Sequence, residues 1–438
     1  MSRIAEIAAA LAGYDPKALG VDAVQGFLAR LAGPAAMTQV EHVALRDALG
    51  RVLAEDIVSP VSVPPHDNSA MDGFAFDGAL LPADAASYDE SITLRVVGTA
   101  FAGTAWRGSL APGDAVKIMT GAVMPAGLDT VIPQEFCFVE GERVRFPAKA
   151  LRRGDNRRLA GEDLMQGRPA LLRGERLSPA AIGMVASLGL PMVPVLRRLR
   201  VAYFSTGDEI LSLGELPREG AVYDSNRYTV SGLLARLDCE LIDLGLVRDD
   251  PASLAATLQR AAGEADAIIT SGGVSVGEAD HTRAVMQQLG DMAFWRVAMR
   301  PGRPMAVGLI PKPGQPDGPA VLFGLPGNPV AVMVTFLAFV RPALLRMMGC
   351  HERACTPPPL LRARSASAIR KKAGRTEYQR GRVEWVPGAE PQVRIAGNQG
   401  SGVLSSMVEA NGLVVLHHEQ GSVAAGDMVD VMMFEGVI

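Results

Sequence analysis

Cysteine is sparse in these 438 residues: Cys137, Cys239, Cys350 and Cys355 are scattered, with no CxxC pair. That argues against a zinc site built on cysteine pairs and against a disulfide framework, and it fits a reducing compartment. Histidine is scarce too, six in all, with no HExxH or HxH, so a zinc hydrolase has no ligand set. No SxxK pair supports a serine hydrolase. No GxxxxGK[ST] loop is present and no GxGxxG follows a strand, which removes Walker-type ATP hydrolysis and dinucleotide redox chemistry. Excess charge is also lacking: a net charge of −4 argues against a surface that coats nucleic acid. The longest apolar run, Val330 to Val340, is too short to span a bilayer. The N-terminal IAEIAAALAG contains Glu6 and has only Arg3 ahead of it, which suits an amphipathic helix better than a secretory signal. With 48% hydrophobic and 21% charged residues, the chain reads as a soluble, cytoplasmic protein of more than one domain.

What is present changes character along the chain. Residues 1–20 read as a weakly structured extension interrupted by Pro16 and Gly20. Val21, Val24, Phe27, Leu28 and Leu31 keep helical spacing until Gly33-Pro34, and a second short helix is expected over Leu45 to Leu53. Between about Ile92 and Ala148, short alternating runs such as ITLRVVG and ERVRFPA are separated by Gly, Pro and Asp, the pattern of a small β module. Helical character returns at Ser178-Pro179, a cap followed by proline in the first turn. The expected partition is therefore a β module (61–149) inserted into a mixed, helical domain made of 21–60 and 150–195. From 196 to 350, strands alternate with helices, which predicts a doubly wound, mainly parallel α/β sheet. After Pro357-Pro358-Pro359, strand-like runs separated by turns predict a small β-barrel or sandwich over 357–438.

The stretch DAIITSGGVSVGEADHTR, residues 266–283, organises the α/β region. A short buried strand ends in Ser271-Gly272-Gly273, and Gly277, Glu278 and Asp280 lead into a helical pattern. Strand, glycine loop and helix start form an anion-binding corner, here beside carboxylates. Bare carboxylates would repel a phosphate, so the corner points to phosphate held with a divalent cation such as Mg²⁺. TGDE, RDD, RPGRP and LPGNP also fall just behind strands. Ligands bind such sheets at the carboxyl ends of the strands, so one crevice is expected to hold Glu209, Asp249, Asp280, Arg300, Arg303 and Asn328. A second polar block, HDNSAMDGF at 66–74, reads either as a turn network bracing the domain junction or as part of a site. Thr120 and Gly121 in MTGAVMPAG would bring a hydroxyl and amides near it, in the same subunit or in another.

The order of HDNSAMDGFAF, IMTGAVMPAG, RRLAGED, FSTGDEI, YDSNRY, GLVRDDP, TSGGVSVGEADHT, PGRP and LPGNPV resembles that of the molybdopterin molybdenumtransferases, the MoeA family, to which the C-terminal domain of gephyrin also belongs. The resemblance covers roughly residues 21–438. It implies an elongated homodimer with a shared active site, adenylated molybdopterin and molybdate as substrates, release of AMP, and help from Mg²⁺. It makes Glu209, Asp249 and Asp280 the crevice acids and metal ligands. Asp72 and Thr120 would come from the partner's β module, and Asp163 matches the family's GED acid. Substrate contacts would fall to Ser271, Gly272, Gly273, Ser275, Arg296, Arg300, Arg303, Pro326, Gly327, Asn328 and Pro329, with Arg380 and Ser401 from the C-terminal module. Arg296, Arg300 and Arg303 stand where many relatives carry lysine, which keeps the charge but removes any role for a neutral amine. The resemblance also implies contact with molybdopterin adenylyltransferase and with molybdoenzyme chaperones, and none with nucleic acid or membrane. Two alternatives remain at this stage: a non-catalytic pterin carrier or scaffold, and a molybdopterin adenylyltransferase. The acids argue against the first, and the inserted module and C-terminal domain argue against the second.

Overall fold

Between Arg200 and Leu325 the strands are apolar on both faces, which requires cover on both sides. The computed structural model describes residues 2–11, 14–82, 91–273, 280–312, 314, 318–385 and 387–437. Its central sheet has six strands: β1 (Arg200–Thr206), β2 (Glu240–Val247), β3 (Ala267–Ser271), β4 (Asp291–Arg296), β5 (Pro304–Ile310) and β6 (Ala320–Leu325), in the order β2-β1-β3-β6-β5-β4. The first four in that order are parallel; β5 alone runs antiparallel, between β6 and the edge strand β4, which points the same way as the other four. Because β4 runs with the main strands and β5 returns, the turn between them lies at the same rim as the carboxyl ends of β1, β2, β3 and β6.

Helices cover both faces: α1 (Ser225–Arg236), α2 (Pro251–Glu264), α3 (Asp280–Leu289) and α4 (Pro329–Met347). Ala202, Phe204, Ile268 and Leu322 pack on α2 and α3, and Val201, Tyr203, Ile269 and Phe323 face α1 and α4. The Asp250 carboxylate caps α2 through the Ser253 amide at 2.8 Å, with Pro251 at the first helical position. Helix α4 is long and apolar enough to cross a bilayer, yet 78% of it is buried in this core. Pro342 has no N–H to offer the Ala338 carbonyl, and a π turn over Phe336–Val340 carries the helix past it. Gln25 Nε2 donates to that carbonyl at 3.1 Å.

Two expectations change here. The described residues of the 1–20 segment, 2–11 and 14–20, pack against the sheet edge rather than being weakly structured. Helix Arg3–Ala9 buries Ile4 and Ile7, and the Ile4 amide donates to Asp291 Oδ2 at 2.9 Å. Trp295 Nε1 donates to Tyr14 Oη at 2.8 Å, and the Arg296 amide to the Pro16 carbonyl at 2.8 Å. The outermost strand is thereby covered, as exposed edges commonly are. Helix Val21–Ala32, assigned from sequence to the mixed domain, instead buries Val24, Phe27 and Leu28 in the core shared with α4 and Trp295.

The mixed domain is stitched from two segments. Val40–Ala44 pairs with Met192–Leu196, Ile57–Val58 pairs with Pro169–Leu171, and helix Pro179–Ser187 is capped by Ser178. The helix expected over Leu45 to Leu53 is a single 3₁₀ turn, Leu45–Asp47. Gly50 is left-handed at φ +78° and its amide donates to Leu177 O, which ends any helix. The inserted module is a six-stranded sheet that carries Gly73–Phe76 and Asp114–Ile118 side by side. The C-terminal strands close a five-stranded barrel: Thr376–Glu384, Gln392–Ile395, Leu361–Ser365, Met428–Met433 and Gly412–Leu416, which returns to the first. Met299–Arg300, in the β4–β5 turn, pairs in parallel with Thr376–Glu384 and fastens the barrel to the rim.

Candidate substrate-binding cleft

The rim is built by strands that stop where glycine lets them turn. After β1, Gly207 adopts φ +138°, and the Glu209 carboxylate lies within 2.9 Å of where a side chain on Gly207 would begin. After β3, Gly272 and Gly273 adopt φ +89° and +66° in succession. A Cβ on Gly272 would fall 2.4 Å from the Thr206 carbonyl oxygen, so only glycine lets β3 turn this close to β1. After β6, Asn328 precedes α4 with Pro329 at its first position.

These turns enclose a cleft of about 680 Å³. Glu209, Asp249, Gly272 and Gly273 line one side, and Arg300 and Arg303 come from the β4–β5 turn. Pro326, Gly327 and Asn328 lie along it, and Ser401 arrives from the C-terminal barrel. Arg300 and Arg303 are exposed and have no carboxylate partner among the described residues. Cations left unpaired in a concave surface of limited polarisability attract anionic ligands.

A buried polar network holds the floor in register. The Tyr203 hydroxyl is 2.7 Å from Ser271 Oγ and 2.9 Å from Ser205 Oγ. Asn226, in the first turn of α1, donates through Nδ2 to the Gly327 carbonyl at 2.7 Å and to Ser271 Oγ at 3.4 Å. Burial pushes the Tyr203 phenol far above its ordinary value, so it stays protonated and its role is to position. Ser271 is thus under the cleft rather than in it, and it ties the glycine corner to the LPGNP turn.

The barrel wall depends on a buried arginine. Arg380 is 1% exposed; its Nε donates to Ser406 Oγ at 3.0 Å and its Nη2 to the Asn398 and Gly400 carbonyls at 3.1 and 3.0 Å. Burial, then the positive charge of Arg300, pulls its pKa down from the ordinary arginine value. Arg380 therefore shapes the 399–401 loop from behind, while Gln399, Gly400 and Ser401 face the cleft. The Ser401 carbonyl accepts from the Val330 amide at 3.1 Å, locking that loop to the start of α4.

Several of the other residues expected at the site stand elsewhere. Asp72, Thr120 and Asp163 are exposed and do not line this cleft. Asp72 Oδ1 accepts from both the amide and the hydroxyl of Thr120 at 2.7 Å, and these bonds hold its carboxyl below the usual aspartate value. Asp163 lies in a turn beside Val63, whose carbonyl accepts its amide. Arg296 is exposed at the end of β4, outside the cleft lining, and Pro329 supports Asn328 from α4. Asp280 is the first residue of α3, and Ser275 lies outside the described residues. Sequence reasoning missed Thr206, Thr282 and Gln399 among the lining residues. Thr206 stood in plain view as the first residue of TGDE and Thr282 near the end of the 266–283 stretch, whereas nothing local marked Gln399.

Fold and cleft place the chain among multidomain α/β proteins with a cleft at the strand ends and a second domain as its wall. Three family models match it in succession: the MoeA N-terminal region (domain I and II) over residues 21–189, a probable molybdopterin binding domain over 202–346, and the MoeA C-terminal region (domain IV) over 362–434. The molybdopterin molybdenumtransferase of Haemophilus influenzae is 38% identical over 401 residues, covering 92% of this chain and 95% of that protein. The protein of the same name from Nostoc is 36% identical over 393 residues, covering 90% and 88%. The crystal structure of a molybdopterin biosynthesis moeA protein from Pyrococcus horikoshii superposes with a TM-score of 0.76 at 27% identity, over 95% of this chain and all of that one. The chain belongs to the MoeA family of molybdopterin molybdenumtransferases, transferases of molybdenum cofactor biosynthesis.

Proposed function

We propose that this protein inserts molybdenum from molybdate into adenylated molybdopterin and releases AMP. The observation that carries the reading is one cleft in which Glu209 and Asp249 share the lining with Arg300, Arg303 and the Gly272–Gly273 turn. Acids alone would repel a phosphoanhydride; with the arginines beside them they can instead hold a cation against the phosphates, adding to the charge stabilisation the arginines supply as AMP departs.

The donor set fits Mg²⁺. Among the described residues no cluster of three or more His, Cys, Asp or Glu could cage a metal. Mg²⁺ ordinarily uses one or two carboxylates together with substrate phosphates and water, and Glu209 and Asp249 supply that number. Asp280, at the start of α3, is the third candidate ligand. Bound there, the ion would stabilise charge developing on the leaving phosphate. The chain's own groups do the rest: Arg300 and Arg303 hold oxyanions, Asn328 and Ser401 border the pterin side, and Arg380 keeps the barrel loop in place.

The working form is a cytoplasmic homodimer. Asp72 and Thr120 are pre-bonded to each other on an exposed face of the inserted module, and with Asp163 they would complete the cleft of a second copy of this chain. Delivery of substrate by a molybdopterin adenylyltransferase and transfer of product to molybdoenzyme chaperones fit a cleft open to solvent.

The test is AMP release from adenylated molybdopterin, with and without molybdate and Mg²⁺. Release should require both ions and collapse in Glu209→Ala and Asp280→Ala. Mixing Asp72→Ala with Glu209→Ala should restore about a quarter of wild-type release, since about half the dimers are mixed and each has one intact site. Tight pterin binding without AMP release would turn the protein into a carrier, and failure of the mixture to recover activity would place both acids in one subunit's site.

A further inference from the structure

The Thr206 hydroxyl has no assigned role, although it lies in the cleft. Thr206 is 4% exposed and lines the cavity. Its Oγ1 is buried and has no hydrogen-bond partner among the described residues. Buried hydroxyls in native proteins almost always have one, so an orphan at a binding surface marks a place for a group supplied from outside. Its neighbours Tyr203, Ser205 and Ser271 are bonded among themselves on the opposite face of the sheet and leave it none of their capacity.

The surroundings define what that group is. A Cβ on Gly273 would fall 3.0 Å from Thr206 Oγ1 and 3.4 Å from Thr282 Oγ1. Two hydroxyls thus flank a glycine whose missing side chain keeps the approach open, beside the φ +89° and +66° turn. Consecutive left-handed residues present backbone amides in a concave nest suited to anions. Arg300 and Arg303 line the same cavity without carboxylate partners among the described residues. A hydroxyl donates to an anionic oxygen and distinguishes it poorly from neutral oxygen by charge alone, so geometry does the selecting.

We propose that Thr206 is a further ligand-binding residue, whose hydroxyl donates to one oxygen of a tetrahedral oxyanion held at the Gly272–Gly273 corner. This rests on the reading of the cleft given above. Two sources share that chemistry, the phosphoryl group of the adenylated pterin and molybdate itself, and the experiment separates them.

AMP and molybdate are each titrated by calorimetry, in Mg²⁺ buffer, into full-length wild type, Thr206→Val and Thr206→Ser. Thr206→Val keeps the shape and removes the hydroxyl, so affinity for at least one oxyanion should fall about tenfold, ~1.4 kcal/mol. Thr206→Ser should restore it to within about threefold. The Tm of unliganded Thr206→Val should be no lower than that of wild type, because no internal hydrogen bond is lost. A fall for AMP alone assigns the phosphoryl group, and a fall for molybdate alone assigns molybdate. Unchanged affinities, no rescue by serine, or a lowered Tm that tracks the loss would each overturn the role of Thr206. Wild-type binding of AMP or molybdate tests the cleft itself. If neither binds to wild type, the cleft reading and this assignment both fail; if wild type binds and valine matches it, only the assignment does.

Discussion

Replacing Gly272 with alanine should be felt by both the sheet and the ligand. Its Cβ would sit 2.4 Å from the Thr206 carbonyl oxygen and 3.0 Å from Thr206 Oγ1. Neither side has room to yield, because β1 and β3 are paired through Ser205 and Ser271 immediately before the turn. Left-handed backbone at φ +89° costs an alanine about 1–2 kcal/mol, and overpacking against fixed backbone adds about 1–3 kcal/mol. The expected sum, about 2–5 kcal/mol, corresponds to a roughly 30- to 5,000-fold faster hydrogen exchange of the β3 amides if they exchange through opening of this sheet. Gly220→Ala is the control: φ is +79° in the same α/β domain, and nothing lies within 4 Å of the added carbon. It should pay the backbone term alone, about 5- to 30-fold. Exchange in Gly272→Ala no faster than in Gly220→Ala would refute the close approach of β1 and β3 and the argument that this corner demands glycine.

Arg380→Met leaves the Asn398 and Gly400 carbonyls without their donor, at a cost of about 1–3 kcal/mol by urea unfolding. Exchange in the 398–401 loop should rise with it, and Arg380→Lys should not restore protection, because one ammonium cannot reproduce the planar fork. The Asp72 carboxylate, read by ¹³C NMR, should titrate below an ordinary aspartate, and Thr120→Val should move its midpoint upward. Since the folded pKa is the lowered one, the stabilisation from this pair is complete above the ordinary aspartate range and disappears as pH falls through the folded midpoint. An upward-shifted Asp72 in the wild type would contradict the double hydrogen bond from Thr120.

The parts legible in the sequence were those where local chemistry and position coincide. Strand-end motifs such as TGDE, TSGG and LPGNP mark turns because glycine, proline and capping residues are needed there, and a parallel sheet gathers those ends on one rim. The packing of residues 2–11 and 14–20 was illegible because it depends on contacts with Asp291, Trp295 and Arg296, almost 300 residues away, and much of it is backbone hydrogen bonding that leaves no pattern. Helix Val21–Ala32 was legible as a helix, but amphipathic spacing does not say which core receives the apolar face. Leu45 to Leu53 misled because its apolar spacing outweighed Gly50, whose left-handed backbone ends the turn. Arg380 shows a related limit. Its position was legible, but its burial behind the 399–401 loop follows from closure of the barrel, a feature of the tertiary fold.

The central claim is that molybdenum enters the pterin as AMP leaves from this cleft. The most direct measurement is the ratio of molybdenum retained on the pterin to AMP released, by elemental mass spectrometry and chromatography on one quenched reaction. The account predicts one molybdenum per AMP in wild type and neither product in Glu209→Ala. AMP released in stoichiometric amount with no molybdenum on the pterin would contradict it, leaving a nucleotide hydrolase in place of a metal transferase.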